Sequence, residues 1–225
     1  MRSIFLITGT DTGVGKTVLA SLLTKHLHEA GLPVAALKPL CSGDRSDAKS
    51  LRSAQKNQLT LDEVNPWHFR APLSPLLAAR KMRCKVTLAE VAAHIRAIQN
   101  RFPMIIVESA GGLLSPLGEN FDSRDLIQEL NAISIVVCPN RLGAINQVRL
   151  VLSALPKQLS ARAQVVLMST RHPDSSSRSN AKMLGEFMKP QRIQVFPWIG
   201  GQRNRSGRDT KTALEKLRTN LFLRH

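Results

Sequence analysis

The chain has 225 residues, 43% of them hydrophobic, and its 32 lysines and arginines outnumber 16 acidic residues to give a formal net charge of +16. This length and apolar content suit one α/β domain over residues 1–225. No segment approaches the ~20 apolar residues that span a bilayer, and the apolar run near the start is too short for a secretory signal. Cys41, Cys84 and Cys138 lack metal-site spacing, so we expect free thiols and a reducing, cytoplasmic location.

The excess of positive charge would attract nucleic acid, anionic membrane or polyphosphates. The basic residues are spread along the chain, however, and only 4% of residues are aromatic, with no tyrosine. A surface that binds single-stranded nucleic acid would alternate aromatic and basic residues, and this pattern is missing from the sequence. We therefore expect a solvated basic surface, and neither nucleic acid nor membrane as a partner.

The first predicted element is a buried strand that leads into a glycine-rich loop. Apolar residues 4–7 precede the sequence G-T-D-T-G-V-G-K-T at 9–17, and an amphipathic stretch over 18–27 follows at helical spacing. Strand, loop and helix together make a phosphate-binding loop, in which backbone N–H groups and the helix N-terminus cradle polyphosphate oxygens. Lys16 would reach the terminal phosphates, and the Thr17 hydroxyl would bind Mg²⁺.

Short apolar runs recur along the chain and alternate with helical stretches. The first helix should end near Gly31, and a later helix opens with a capping box over residues 87–90. This alternation predicts an α/β fold: a mostly parallel, doubly wound sheet with helices on both faces, in three layers, as in P-loop nucleoside triphosphatases. Ligands of such sheets bind beyond the C-terminal ends of the strands. The predicted strands are residues 4–8, 34–37, 104–108, 133–138, 164–168 and 193–196.

Lys38 closes the second predicted strand, where a buried ammonium is costly unless it meets an anion. The sheet would place it beside the phosphate loop, as a second cation for a transferred phosphoryl group. Ser42 follows in a tight loop that could offer hydrogen-bond donors. Asp47 comes just before a predicted helix, so it could either bind Mg²⁺ or cap that helix.

The later strand ends also carry candidate residues. Glu108 closes the third strand beside a glycine-rich segment, which is the Walker-B position, where a carboxylate holds Mg²⁺ directly or through water. Residues 140–146 follow the fourth strand and open a helix N-terminus that could bind an anion. The fifth and sixth strands reach residues 169–171 and 196–199, where a nucleotide base could lie. Trp198 could stack on that base or pack in the core.

Together these residues resemble the dethiobiotin synthetases, the ATP-dependent ligases of biotin synthesis. The resemblance runs over nearly the whole chain. Five residues separate Gly9 from Gly15, one more than in the common G-x-x-x-x-G-K-T loop, and this longer spacing is typical of that family. Any one motif is weak, but in this order they are specific. They are residues 9–17, Lys38-Pro39 with Ser42-Gly43, Ser46-Asp47-Ala48, Val64-Asn65-Pro66, Glu108 with Ala110-Gly111-Gly112, Leu142-Gly143 with Ile145-Asn146, and Pro197-Trp198.

The resemblance implies a reaction in which ATP, CO₂ and 7,8-diaminononanoate give dethiobiotin. An amine of the substrate forms a carbamate, whose oxygen attacks the γ-phosphorus of ATP to give a mixed carbamic–phosphoric anhydride. The other amine then closes the ureido ring, and phosphate leaves. Positioning and charge neutralisation supply most of the catalysis in phosphoryl transfer. The family also implies a homodimer.

Roles for individual residues follow from the resemblance. Lys16 and Lys38 would stabilise charge on the γ-phosphoryl group and the carbamate, and Thr12 would line the substrate side. Thr17, Asp47 and Glu108 would form the Mg²⁺ set. The ATP contacts would come from Gly13, Val14, Gly15, Lys16, Thr17, Val18, Asp47, Glu108, Ser109, Ala110, Gly111, Ser169, Thr170, Pro197, Trp198 and Ile199. The diamine would contact Ser42, Ser74 and Pro75, and its carboxylate would contact Gly143, Ala144 and Asn146 across the dimer interface.

The chain departs from the family pattern at two places. The family reads Glu-Gly-Ala-Gly-Gly after the third strand, but this chain has Ser109 in place of the first glycine. If that position needs a positive φ, the serine would strain the loop by about 1 kcal/mol. The family reads adenine with an Asn-Asp pair, for which this chain has Ser169 and Thr170. Loss of the amide predicts weaker discrimination between ATP and other triphosphates.

An alternative interpretation is a regulatory P-loop ATPase of the partitioning and septum-positioning type, which acts on membrane or nucleic acid. Those proteins share the sheet and carry an extra lysine early in the loop, where this chain has Asp11. They often end in a basic, membrane-targeting helix. Residues 210–223 could form such a helix or a last packed helix of the domain.

Overall fold

The computed structural model describes residues 2–200 and 205–222. Within these residues the strands are β1 Ser3–Gly9, β2 Val34–Leu37, β3 Leu40–Ser42, β4 Trp67–Phe69, β5 Met104–Gly112, β6 Ile133–Asn140, β7 Gln164–Ser169 and β8 Ile193–Phe196. The α-helices are α1 Lys16–Glu29, α2 Ser46–Ala54, α3 Leu61–Val64, α4 Pro75–Lys81, α5 Leu88–Gln99, α6 Ser123–Glu129, α7 Ala144–Ala154, α8 Lys157–Ser160, α9 Asn180–Leu184 and α10 Arg205–Phe222. Short 3₁₀ turns cover Ser175–Arg178 and Pro190–Arg192.

Six of the strands form one parallel sheet in the order β2-β5-β1-β6-β7-β8. They are the six strands that the apolar runs predicted, and most of their residues are buried because helices cover both faces. Since all six run in the same direction, their C-terminal ends meet at one edge of the sheet. The residues that close the strands are therefore brought together there.

A second, two-stranded sheet pairs β3 with β4 in parallel and was not predicted. Leu40 pairs with Trp67, and Ser42 pairs with Phe69. Each strand has only three residues, which is too short to show a periodic pattern. This small sheet holds the chain that follows Lys38.

Helices cover the large sheet on both faces. The helix α1 packs against α2 and α10, whereas α5 contacts α6 and α7 contacts α8 and α9. The connection from β1 to β2 runs toward one end of the sheet, and those from β5 through β6 and β7 to β8 run toward the other. Right-handed connections in opposite directions place their helices on opposite faces. The predicted doubly wound α/β fold is confirmed.

The predicted end of the first helix and the predicted capping box at residues 87–90 are both confirmed. Helix α1 ends before Gly31, which has the positive φ of 74° that a glycine adopts without steric cost. Thr87 is the N-cap residue of α5: its side chain accepts the Glu90 amide, while the Glu90 carboxylate accepts the Thr87 amide. An equivalent capping box begins α3 and was not predicted.

The C-terminal helix α10 packs on the body of the protein. Leu214, Leu217 and Leu221 are buried, and the Phe222 ring meets the Phe5 ring edge to face, with 6.1 Å between centroids. The packed-helix interpretation is therefore confirmed as far as Phe222, and the last residue of the predicted segment lies outside the described residues. Among the helices of the described ranges, none is both long and apolar enough to cross a membrane.

A hydrogen bond joins α1 to α10, and an ion pair within α10 shares its carboxylate. His26 Nε2 lies 2.9 Å from Glu215 Oε2, and Arg218 donates hydrogen bonds to the same carboxylate. Hydrogen bonds from Arg218 and His26 lower the pKa of Glu215 from 4.5 to about 2. Because the folded state favours the ionised carboxylate, these contacts add stability above pH 4.5 and lose it as the pH falls toward 2.

We expect the variant Glu215→Gln to have a lower melting temperature than the wild type at pH 6 and to lose that difference as the pH approaches 2. Thermal denaturation at a series of pH values checks this. Added salt should reduce the difference in melting temperature, because Glu215 and Arg218 lie at the surface. Glu29→Gln, on the exposed end of α1, is the matched control and should leave the melting curve unchanged. A constant difference at every pH would contradict the assignment.

Candidate nucleotide and substrate site

The loop between β1 and α1 has the geometry of a phosphate-binding loop. Gly15 precedes α1 with a φ of 100°, a conformation that a residue with a side chain rarely adopts. A Cβ atom on Gly9 would lie 2.7 Å from both the Asp11 carbonyl oxygen and Val14 Cγ2. Lys16 Nζ donates a hydrogen bond of 2.9 Å to the Asp11 carbonyl, so its side chain folds back over the loop. The loop is thus packed too tightly at Gly9 for a side chain there, as expected of a backbone that wraps closely around an anion.

Four predicted residues meet at the edge of the sheet beside this loop. Lys38 Nζ lies 2.5 Å from Glu108 Oε1 and 2.9 Å from Asp47 Oδ2. The Thr17 hydroxyl donates a 2.7 Å hydrogen bond to the same Glu108 oxygen. The Lys38 and Glu108 side chains are 5% and 0% exposed. These four residues, the cation cluster, come from β5, the first turns of α1 and α2, and the end of β2.

The two lysines of the site have opposite electrostatic environments. Burial alone would lower the pKa of Lys38, but Glu108 and Asp47 outweigh it and hold the pKa above its usual 10.5. Burial, followed by the nearby charge of Lys38, lowers the pKa of Lys16 to about 8. Lys38 is therefore firmly charged, whereas Lys16 gains most from the arrival of an anion.

The oxygen atoms of the cation cluster fit a magnesium ion. Thr17, Asp47 and Glu108 supply the hydroxyl and carboxylate oxygens that Mg²⁺ prefers. Glu108 Oε2 is buried and has no hydrogen-bond partner within the described part of the chain. A buried oxygen of this kind is costly unless it is satisfied by a donor or a cation. The structure therefore brings together the predicted metal set around a place that already holds one positive charge.

The capping role that was open for Asp47 is wrong. Helix α2 begins at Ser46, with Arg45 as its N-cap residue, and Asp47 lies in the first turn with its side chain on Lys38. The carboxylate of Asp44 instead accepts the Ser46 amide at 2.6 Å. Asp47 is thus directed at the site by the start of α2.

A cavity of about 770 Å³ opens in front of the cation cluster. It is lined by predicted residues from several loops. Cys41, Pro72, Leu73 and Ser115 also line it, and the sequence analysis did not predict them as site residues. The Ser115 hydroxyl accepts a hydrogen bond of 2.9 Å from the Gly112 amide, which holds it at the cavity. No local sequence pattern predicts this contact. Val14 is buried in the core beneath the loop instead. The lining residues are Thr12, Gly13, Gly15, Lys16, Thr17, Val18, Lys38, Cys41, Ser42, Asp47, Pro72, Leu73, Ser74, Pro75, Glu108, Ala110, Gly111 and Ser115.

Ser109 fits the glycine-rich segment without backbone strain. It lies inside β5 and is buried, and it is not among the positive-φ residues of the described chain. The positive φ of this segment, 72°, falls on Gly111, where the chain has kept its glycine. The condition for strain at Ser109 is therefore not met.

The predicted base-binding residues lie at the same edge of the sheet but outside the lining of the 770 Å³ cavity, as far as the described residues show. Ser169 ends β7 directly after Met168, whose side chain approaches Gly15 of the phosphate loop. Trp198 follows β8 with 45% of its surface exposed, so the core interpretation of this residue is wrong. Pro197 and Ile199 flank it. Base binding by these residues stays a prediction.

The predicted carboxylate-binding residues form a separate surface. Gly143 precedes α7 with a φ of 90°, Ala144 is buried and Asn146 is exposed. Within the described chain, residues 143–146 are not part of the cavity lining. The structure therefore does not bring them to the cation cluster of the same chain.

A mostly parallel sheet with a phosphate-binding loop and a strand-end carboxylate defines a P-loop nucleotide-binding protein. Solved structures with this fold include the MinC:MinD cell division complex of Aquifex aeolicus, with a TM-score of 0.62 and 14% identity over 100% of this chain and 97% of the other. Another is a ParA family ATPase of Chlorobium tepidum, with a TM-score of 0.54 and 13% identity over 98% and 95%. At such identities the likeness is one of fold alone.

Sequence comparisons identify the family. A family model described as an AAA domain matches residues 3–204. The chain is 37% identical to an ATP-dependent dethiobiotin synthetase of Anaeromyxobacter dehalogenans, over 88% of this chain and 91% of the relative. It is 35% identical to the enzyme of that name from Akkermansia muciniphila, over 81% and 86%. The chain belongs to the ATP-dependent dethiobiotin synthetase family.

We expect Lys38→Met to lower the free energy of unfolding by about 3–5 kcal/mol, because it leaves the buried Glu108 carboxylate without a cation. Magnesium should restore part of this loss and should stabilise the variant more than the wild type. Urea denaturation with and without MgCl₂ measures both effects.

The exposed Lys49→Met on α2 is the matched control for that comparison. If Lys38→Met does not fold, the double variant Lys38→Met/Glu108→Gln removes both charges and should recover a folded protein. A single variant as stable as the wild type, or one that gains no more from magnesium than the control, would show that the cluster does not need its cation.

Proposed function

We propose that this protein is a dethiobiotin synthetase, which uses ATP and Mg²⁺ to join CO₂ to 7,8-diaminononanoate and to close the ureido ring. Family membership supports this proposal. The single observation that carries it is the cation cluster, in which Lys38, Thr17, Asp47 and Glu108 meet beside the phosphate loop. This combination suits the transfer of a phosphoryl group onto a second anion.

Thr17, Asp47 and Glu108 would hold the magnesium ion. When bound, the ion supplies charge neutralisation for the phosphoryl oxygens. The loop residues 13–18 would bind the triphosphate through their amides. Lys16 would stay protonated beside the phosphates, because an anion opposes the burial that lowers its pKa.

The chemical steps use this chain's lysines and hydroxyls for positioning. One neutral substrate amine attacks CO₂ through its nitrogen lone pair and releases a proton to solvent, and the resulting carbamate lies near Lys38. A carbamate oxygen attacks the γ-phosphorus, and the bond from that phosphorus to the ADP oxygen breaks. The second neutral amine then attacks the carbamoyl carbon, the C–O bond breaks to release phosphate, and the amine proton passes to solvent. Lys16 and Lys38 neutralise the negative charge that gathers between the two reactants.

The cavity suits a diamine with a hydrocarbon chain. Pro72, Leu73 and Pro75 offer an apolar wall, while Ser42 and Ser74 offer hydroxyls within the same cavity. Thr12 lines the side nearest the loop. Volumes of several hundred Å³ are typical of sites for small ligands.

We further propose a homodimer in which a second copy completes the substrate site. Residues 143–146 begin α7 at a helix N-terminus, which attracts a carboxylate. Leu142 and Leu150 flank them with 73% and 60% of their surfaces exposed. Asn146 and Leu150 are four residues apart and so share one face of the helix. This face would contact the partner and present Gly143 and Asn146 to the substrate carboxylate in the partner's cavity, whereas Ala144, predicted with them, is 0% exposed and its amide donates to the Arg141 carbonyl.

The test of this function is ADP release from ATP with Mg²⁺ and bicarbonate, with and without 7,8-diaminononanoate. We expect turnover only with the diamine, and a loss of about 10²–10³-fold in Lys38→Ala, because one electrostatic stabiliser is removed. Folding of the variant is confirmed by thermal denaturation. ATP hydrolysis that does not depend on the diamine but increases with DNA or anionic liposomes would overturn the ligase proposal and favour a regulatory ATPase.

The nucleotide preference gives a further prediction. We propose that the base lies near Ser169, Thr170 and Trp198, where a serine stands in place of an amide that could pair with the base edge. Ser169→Asn should raise the ratio of kcat/KM for ATP over that for GTP by up to about tenfold, the worth of one hydrogen bond. Ser169→Ala is the control and should not raise it. An unchanged ratio in Ser169→Asn would place the base elsewhere.

A further inference from the structure

Asn65 is a fully buried residue that belongs neither to the phosphate loop nor to the cation cluster. It lies between α3 and β4, in the motif Val64-Asn65-Pro66, with 0% of its surface exposed. Its Nδ2 donates a hydrogen bond of 2.8 Å to the Lys38 carbonyl and one of 3.2 Å to the Pro39 carbonyl. A buried side-chain amide that contacts the backbone of Lys38 is in a position to control that residue.

The backbone of Lys38 needs such support because it lies beyond the sheet. Strand β2 is an edge strand, and its last pair joins Leu37 to Val107 of β5. The Lys38 amide donates instead to the Val64 carbonyl at 2.9 Å. Residues 64 and 65 therefore satisfy both polar backbone groups of Lys38, in place of a neighbouring strand.

Arg45 fixes the orientation of the Asn65 amide. Its Nε donates to Asn65 Oδ1 at 3.0 Å, and its Nη2 donates to the Asn65 carbonyl at 2.7 Å. Since a guanidinium can only donate, the oxygen of the side-chain amide must face Arg45 and the nitrogen must face the Lys38 carbonyl. Arg45 is also the N-cap residue of α2, the helix that directs Asp47 at Lys38.

We propose that Asn65 is a positioning residue for Lys38. It fixes the Lys38 backbone so that the ammonium reaches Glu108 and Asp47, and Arg45 holds the Asn65 amide in the donating orientation. The consequence for phosphoryl transfer rests on the proposed function. A displaced Lys38 would stabilise the transferred group less well, while the phosphate loop would still bind ATP.

Gln55, the C-cap residue of α2, offers a matched control because it bonds the backbone two residues before Lys38. It is also 0% exposed, and it exchanges two hydrogen bonds with Ala36: the Ala36 amide donates to Oε1 at 3.1 Å, and Nε2 donates to the Ala36 carbonyl at 2.9 Å. It therefore satisfies the backbone of β2 at Ala36, as Asn65 satisfies the backbone just beyond β2, but it makes no contact with Lys38. Removing either amide leaves a buried backbone carbonyl of this segment without its donor, and only Asn65 contacts Lys38.

The experiment compares Asn65→Ala, Asn65→Asp and Gln55→Ala. Both alanine variants should lower the melting temperature. Below those temperatures, Asn65→Ala should lose about 10²-fold in kcat with little change in the KM for ATP, as expected for a misplaced catalytic group. Gln55→Ala should keep a kcat near that of the wild type. Asn65→Asp keeps the size and the Arg45 contact but cannot donate to the carbonyls, so it should lose kcat as Asn65→Ala does.

A second measurement does not depend on turnover. An amine-reactive acylating reagent, with mass spectrometry of the peptides, reports how well Lys38 is protected. Protection should hold in the wild type and in Gln55→Ala, and should fall in both Asn65 variants. If neither the wild type nor any variant shows diamine-dependent turnover but this labelling pattern appears, the proposed function fails and the positioning role stands. Equal labelling of Lys38 in all four proteins, or full kcat in Asn65→Asp, would overturn the positioning role.

Discussion

The buried ammonium of Lys38 imposes the main constraint on this structure. An ammonium removed from water is tolerated only where anionic groups surround it, and here Glu108 and Asp47 lie 2.5 and 2.9 Å away. These contacts tie the end of β2 to β5 and to the start of α2, and Thr17 adds the start of α1 through its hydrogen bond to Glu108. The main elements of the site are thereby held around one charge.

The parallel sheet makes this arrangement available. Because its strands all end at the same edge, the phosphate loop, Lys38 and Glu108 become neighbours although they are far apart in sequence. Lys16 then completes the electrostatics: burial lowers its pKa to about 8, so it is the lysine whose protonation an incoming phosphate would strengthen. One lysine is already paired, and the other is ready for an anion.

Local signals predicted much of this molecule. The six long strands follow from apolar runs, the ends of α1 and α5 follow from a glycine and a capping box, and the loop at 9–17 predicts phosphate binding. The short pair β3 and β4 escaped prediction because three residues show no period. Cys41, Leu73 and Ser115 escaped because only chain packing carries them to the cavity. Asn65 stood in a noted motif, but its contact with Lys38 spans 27 positions, and sequence spacing cannot show it.

The sequence by itself thus determined the fold class, the family and the residue types of the site, because apolar periodicity and short motifs are encoded locally. The tertiary structure decided which groups touch. It directed Asp47 at Lys38 instead of at a helix cap, left Trp198 exposed and separated residues 143–146 from the cation cluster. Those outcomes depend on the directions in which helices leave the sheet and on the electrostatic cost of burying a charge, and both act between residues that are distant in the chain.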